Sequence, residues 1–128
     1  MIDLRPTVVF ADDSLPMLEA ACAILRPAYN VVKLATNGQE AVRWVMELHP
    51  DLAVLDICMP DMDGFAVART LNQAGSSTRI LFLTEIEDED YIREARHISY
   101  GYVLKRRLAS DLVAALASAA TGSFFLSR

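Results

Sequence analysis

Short apolar runs and helix-period apolar stripes alternate five times along this chain. Residues 7–11, TVVFA, are β-branched and apolar throughout, as expected of a strand covered on both faces. Ser14 is then placed to cap a helix with Pro16 in its first turn, and Leu18, Cys22 and Leu25 recur at helical spacing until Pro27. Residues 29–35 read as a second strand. Asn37 caps the next helix with Glu40 in capping-box position, and Ala41, Val45 and Leu48 form its stripe before Pro50. Residues 52–57 form the most continuous apolar run, broken only by Asp56. A turn leads to a helix over 64–74, with Phe65, Ala68 and Leu71 on its buried face and Gly75 just past its end. Residues 79–84 are strand four. Asp88, Glu89 and Asp90 then bring negative charge to the start of a fourth helix, where its dipole favours it. Residues 101–104 are strand five, and 109–120 an Ala-rich last helix with Leu112 and Leu116 on one side.

Five βα units in so short a chain predict an α/β fold. The expectation is a doubly wound, flavodoxin-like (βα)5 parallel sheet of strand order 2-1-3-4-5, with ligands at the carboxyl ends of its strands. Residues 1–122 make one domain, with no repeat or low-complexity tract. Residues 123–128, SFFLSR, are either a docked tail or the start of a linker to an output domain missing from the chain.

At 128 residues and 53% apolar content the chain buries its own core, which excludes disorder. No apolar run reaches the roughly 20 residues of a membrane span, and the N-terminus meets charge too early for a secretory signal. Seventeen acidic against 12 basic residues give a net charge of −5, a poor match to a nucleic-acid backbone. Cys22 and Cys58 have neither metal-site nor disulfide-framework spacing. The expectation is a cytoplasmic domain with no membrane partner.

The chemistry lies where apolar strands end in charge. Asp12 and Asp13 end strand one and Asp56 ends strand three, neighbours in the expected order. Three carboxylates gathered at one edge repel one another. A hard divalent cation such as Mg2+, bound through oxygen, relieves that conflict. Thr84 and Lys105 end strands four and five at the same edge. A metal site with an ammonium and a hydroxyl beside it suits phosphoryl transfer.

Asp12-Asp13, Asp56 within DICMPDMDG, Thr84, and Tyr102 and Lys105 within GYVLK form an ordered set along nearly the full length. In that set the chain resembles the receiver domain of bacterial two-component response regulators. The resemblance implies a phosphorylation-dependent signalling switch, not an enzyme beyond its own phosphorylation and dephosphorylation. Asp56 would be the phosphoacceptor, served by a sensor histidine kinase or a small phosphodonor. Asp13, Asp56 and the carbonyl of Cys58 would hold Mg2+, with Asp12 acting mainly through water. Lys105 would pair with the phosphoryl group, Thr84 would swing onto it, and Tyr102 would turn inward behind. The surface of helix four, strand five and helix five would carry the change to partners, including homodimerisation on activation. GYVLK, RRLASDLVAAL and GSFFLS look most like the NarL type. Such regulators usually act on transcription through a DNA-binding domain that this sequence does not contain, so the expectation is a truncated chain, with a stand-alone receiver as the alternative.

The sequence departs from that family's commoner pattern at several positions. Glu85 follows Thr84 and, with Glu87, adds acid to the rim; Arg106 follows Lys105 in place of proline, and Ile98-Ser99 precede strand five. A scaffold that works without phosphorylation is therefore an alternative. DMDG also resembles the nucleophile motif of haloacid-dehalogenase-type phosphatases, but Pro60 separates it from the strand. Pro60 and Gly64 read as turn chemistry, His49 and His97 as surface residues, and Trp44 as a packing group. Cys58 and Ile86 stand two residues beyond Asp56 and Thr84, replacing polar groups that some receivers place near the attacking water. These residues predict a comparatively long-lived phosphoryl state, and a measured half-life of only seconds at neutral pH contradicts it.

Overall fold

Every strand expected from the apolar runs forms. The computed structural model describes residues 2–128. Its elements are β1 (Thr7–Ala11), α1 (Leu15–Leu25), β2 (Asn30–Ala35), α2 (Gly38–Leu48), β3 (Leu52–Leu55), α3 (Gly64–Gln73), β4 (Arg79–Thr84), α4 (Glu89–Ile98), β5 (Gly101–Leu104), α5 (Leu108–Ala120) and β6 (Phe125–Leu126). A 3-10 turn, Lys105–Arg107, joins β5 to α5. The sheet is parallel throughout, in the order β2-β1-β3-β4-β5-β6. Strands β1, β3, β4 and β5 bury side chains on both faces, whereas in the edge strand β2 only Ala35 is fully buried.

Strand alternation splits the core in two. Val9, Ala11, Ala53, Leu55, Phe82 and Tyr102 face one side and pack with residues of α2, α3 and α4. Val8, Phe10, Leu52, Val54, Leu83 and Val103 face the other, against α1 and α5. Local signals set the helix ends. Asn37 accepts from the Glu40 N–H at 2.9 Å, while Glu40 Oε1 reaches back to the Thr36 N–H at 3.2 Å. The expected capping box thus closes one residue early. Ser14 caps α1 more loosely, accepting from Met17 N–H at 3.4 Å.

The expected five-strand order is present with one strand added. Gly122 takes a left-handed φ of 81°. The Ser123 N–H donates to Ser118 O and the Gly122 N–H to Ala119 O, a reversal that returns the chain to the sheet. Phe124 and Leu126 then pack on the α4 side of the core and Phe125 on the α5 side, so the tail alternates like any strand. No sequence periodicity reveals a strand of two residues.

Ser127 hydroxyl donates to Asp111 Oδ2 at 2.7 Å, where Arg107 Nε also donates at 3.0 Å. The Ser127 hydroxyl holds the Asp111 carboxyl below the usual carboxylate range, against burial, and Arg107 and Ser110 add to its effect. A depressed folded-state pKa means that the unfolded chain binds the proton more readily. The stabilisation is therefore complete above the ordinary carboxylate pKa and fades as pH falls through the folded value. The unfolding midpoint of wild type should exceed that of Asp111→Asn by a constant margin from about pH 7 to about pH 5, and the margin should close below about pH 4. Denaturant melts across that range check it.

Candidate functional site

The hydrogen-bonded ladder runs past the formal ends of β1 and β3. Asp12 N–H donates to Ala35 O at 3.0 Å and Asp56 N–H to Ala11 O at 2.9 Å. Both residues are thus held as rigidly as the sheet, and both are buried, Asp12 fully and Asp56 to 5% exposure. Asp13 is exposed beside them. The three carboxylates each offer an oxygen, all within 4.8 Å of one another.

Lys105 reaches into this cluster from the 3-10 turn. Its Nζ lies 2.8 Å from Asp12 Oδ2 and 3.2 Å from Asp56 Oδ2. The approach to Asp12 is an ion pair off the hydrogen-bonding angle, so that buried oxygen accepts no hydrogen bond. Asp12 Oδ1 accepts from Ser14 N–H at 2.9 Å, and Asp56 Oδ1 from Cys58 N–H at 3.2 Å. Burial, and then the charge of Asp12, push the Asp56 carboxyl above the usual carboxylate range against the pull of Lys105. Burial works to lower the Lys105 ammonium, but Asp12 and Asp56 outweigh it and leave it raised.

A cleft of about 320 Å³ opens over Asp56, lined by Asp13, Ser14, Cys58, Thr84, Ile86 and Lys105, with Glu85 on its rim. Thr84 is almost fully buried, and its Oγ1 accepts from Ile86 N–H at 3.1 Å. Tyr102 is wholly buried, donates its hydroxyl to Ile86 O at 2.5 Å, and has its pKa pushed up to about 12, chiefly by burial. Thr84 and Tyr102 therefore converge on one loop residue, Ile86. Glu87 of that loop also pairs with Arg106, which ties the loop to the turn carrying Lys105. The peptide bonds of that turn are trans.

The arrangement fits a hard divalent cation. All the donors are carboxylate oxygens, one of them buried without a hydrogen bond, and they meet at one point. Asp61 and Asp63 of the DMDG stretch stand outside the cluster. Asp61 is an exposed residue with a left-handed φ of 68°, and Asp63 caps α3 by accepting from Ala66 N–H. His49 ends α2 as an exposed left-handed residue, and Trp44 packs on the core beneath Lys33.

Gly64 does more than turn the chain. A Cβ there would lie 2.4 Å from Asp56 O and 2.9 Å from Ile57 Cα, both backbone atoms with little room to yield. Gly64 N–H also donates to Ile57 O at 2.8 Å. The first turn of α3 thus rests directly against the backbone of the central acid. Sequence alone offers only a turn glycine at the start of a helix, since a missing side chain reports nothing about what approaches it.

A parallel sheet presenting three acids, a threonine and a lysine at one carboxyl edge places the chain in the class of doubly wound α/β domains with a charged site at the strand ends. The model of the response regulator receiver domain matches residues 8–117. The chain belongs to that family. It is 33% identical over its whole length to the nitrate/nitrite response regulator protein NarL of Escherichia coli K12, of which the match covers 61%. The signal receiver domain of a response regulator NarL from Mycobacterium tuberculosis superposes with TM-score 0.88 at 29% identity, over 92% of this chain and 98% of that one. A LuxR-family two-component response regulator from Aurantimonas sp. SI85-9A1 superposes with TM-score 0.90 at 28% identity, over 97% and 91%. The chain spans about three fifths of the length of the curated relatives it matches first. No helix among the described residues is long and apolar enough to cross a membrane.

Gly64→Ala should lower unfolding stability by about 1–3 kcal/mol, the usual cost of forcing a methyl into filled space. Urea denaturation of the two proteins checks it.

Proposed function

We propose that this receiver domain is a phosphorylation-dependent signalling switch that takes a phosphoryl group onto Asp56 from the phosphohistidine of a sensor histidine kinase. The observation that carries the reading is the placement of Lys105 Nζ between Asp12 and Asp56 at the floor of an open cleft. A buried ammonium already bound to the acceptor carboxylate is poised to meet an incoming anion.

An Asp56 oxygen attacks phosphorus, the P–N bond to the donor imidazole breaks, and the imidazole departs with that electron pair. Lys105 offsets the charge that collects on the phosphoryl oxygens. Asp13, Asp56 and the Cys58 carbonyl would hold Mg2+, with Asp12 close by. When bound, that ion neutralises the acids and the transferred group. Thr84 then turns its hydroxyl from the Ile86 N–H toward the phosphoryl group. Tyr102, bonded to Ile86 O, follows the loop. The surface of α4, β5 and α5 conveys the change to an output, which we assign to transcription through a DNA-binding domain beyond this chain, with homodimerisation on activation. A cytoplasmic setting accords with a kinase partner. Glu85 on the cleft rim favours a second reading, a scaffold that is never phosphorylated, because it repels an anionic donor.

Incubation with Mg2+ and acetyl phosphate, followed by intact-mass measurement, tests the choice. The proposal predicts one phosphoryl adduct on wild type and none on Asp56→Asn or without Mg2+. An unmodified wild type that also fails to bind beryllofluoride supports the scaffold instead.

A further inference from the structure

The tail ends in a buried hydrogen-bonding group that the switch chemistry does not use. Ser127 is only 5% exposed. The β5–β6 ladder reaches it through Phe125 N–H to Tyr100 O at 3.1 Å and Ser127 N–H to Tyr102 O at 2.9 Å. At the next step the main chain of β6 stops, and the Ser127 hydroxyl takes over, accepting from the Leu104 N–H at 3.1 Å. That same hydroxyl donates to Asp111 Oδ2 in α5.

Asp111 is also held from the other side. Arg107 Nε donates to Oδ2 at 3.0 Å and Ser110 Oγ to Oδ1 at 2.9 Å. Leu104 and Arg107 are the residues on either side of the Lys105-Arg106 pair. One serine–aspartate contact therefore clamps both ends of the short turn from which Lys105 reaches Asp12 and Asp56. Without the hydroxyl, the nearly buried Leu104 would lose the partner of its N–H, and a buried donor without a partner is costly. The turn would then settle elsewhere, taking the lysine with it.

We infer that Ser127, acting with Asp111, is a positioning residue for Lys105, so that the tail after α5 is part of the phosphoryl-binding machinery. The inference rests on the phosphoacceptor reading of Asp56. Ser127 touches neither the reacting atoms nor the acidic cluster. Its effect passes through the backbone of Leu104 and the placement of one ammonium. Mg2+ would draw on Asp12, Asp13 and Asp56, which the clamp reaches only through Lys105; displacing that ammonium removes a competing cation, so Mg2+ affinity is held or raised, never lowered.

Those two sensitivities separate a positioning role from a general structural one. Affinity for beryllofluoride in saturating Mg2+, and affinity for Mg2+ alone, are measured for wild type, Ser127→Ala, Lys105→Ala and the double variant. Ser127→Ala should weaken beryllofluoride binding about fivefold, the equivalent of one ordinary buried hydrogen bond. Its Mg2+ affinity should equal or exceed that of wild type, while Ser127→Thr, which keeps the hydroxyl, should recover beryllofluoride affinity. In the Lys105→Ala background Ser127→Ala should add nothing. Unchanged beryllofluoride affinity in Ser127→Ala overturns the inference, as does an equal loss with and without Lys105 or a parallel loss of Mg2+ affinity. If Ser127→Ala fails to fold, Asp111→Asn takes its place in the same four-way comparison, and the same results support or overturn the inference. Wild type that binds Mg2+ but no beryllofluoride overturns the phosphoacceptor reading, and this inference with it.

Discussion

Two buried carboxylates share one ammonium. Asp12 and Asp56 are fixed by the ends of neighbouring central strands and cannot separate, and Asp13 stands beside them. Like charges at such separations repel by roughly 3.5–4 kcal/mol at an effective dielectric near 20. Lys105 offsets part of that repulsion by lying within ion-pair distance of both buried acids. Everything else at this edge follows from the need to keep that lysine in place while leaving an opening above Asp56.

The supports arrive from several elements. Gly64 lets α3 press against the Asp56 backbone, and the Glu87–Arg106 pair ties the loop after β4 to the Lys105 turn. Tyr102, buried in the sheet, holds that loop through Ile86. The exposed Glu87–Arg106 pair adds little stability, as surface ion pairs generally do. The buried Leu104–Ser127–Asp111 chain matters more, because its donors and acceptors have no water to fall back on. The site is thus a set of charges fixed by buried hydrogen bonds.

Much of this was legible in the sequence, for identifiable reasons. Doubly covered strands read as unbroken apolar runs, so the pattern marks β1 and β4 to the residue and overshoots β3 by two. The acids at strand ends were legible because parallel topology sends all those ends to one edge. Family membership followed from Asp12, Asp13, Asp56, Thr84 and Lys105 in order, and comparison with known receivers bears it out. What escaped depended on long-range packing. The short strand β6 is defined by its neighbour β5 rather than by periodicity. Gly64 acts through the side chain it lacks. Ser127 and Asp111 looked like ordinary polar residues until folding placed them around the Lys105 turn.

On the proposed reading, a divalent cation at Asp12, Asp13 and Asp56 would relieve the electrostatic conflict at this edge. Thermal unfolding of wild type and Asp56→Asn, each with and without Mg2+, tests it most directly. The account predicts that Mg2+ raises the wild-type midpoint. It also predicts that Asp56→Asn unfolds at higher temperature than wild type in the absence of metal and gains less when Mg2+ is added. A wild-type midpoint indifferent to Mg2+, with Asp56→Asn no more stable than wild type, would contradict it.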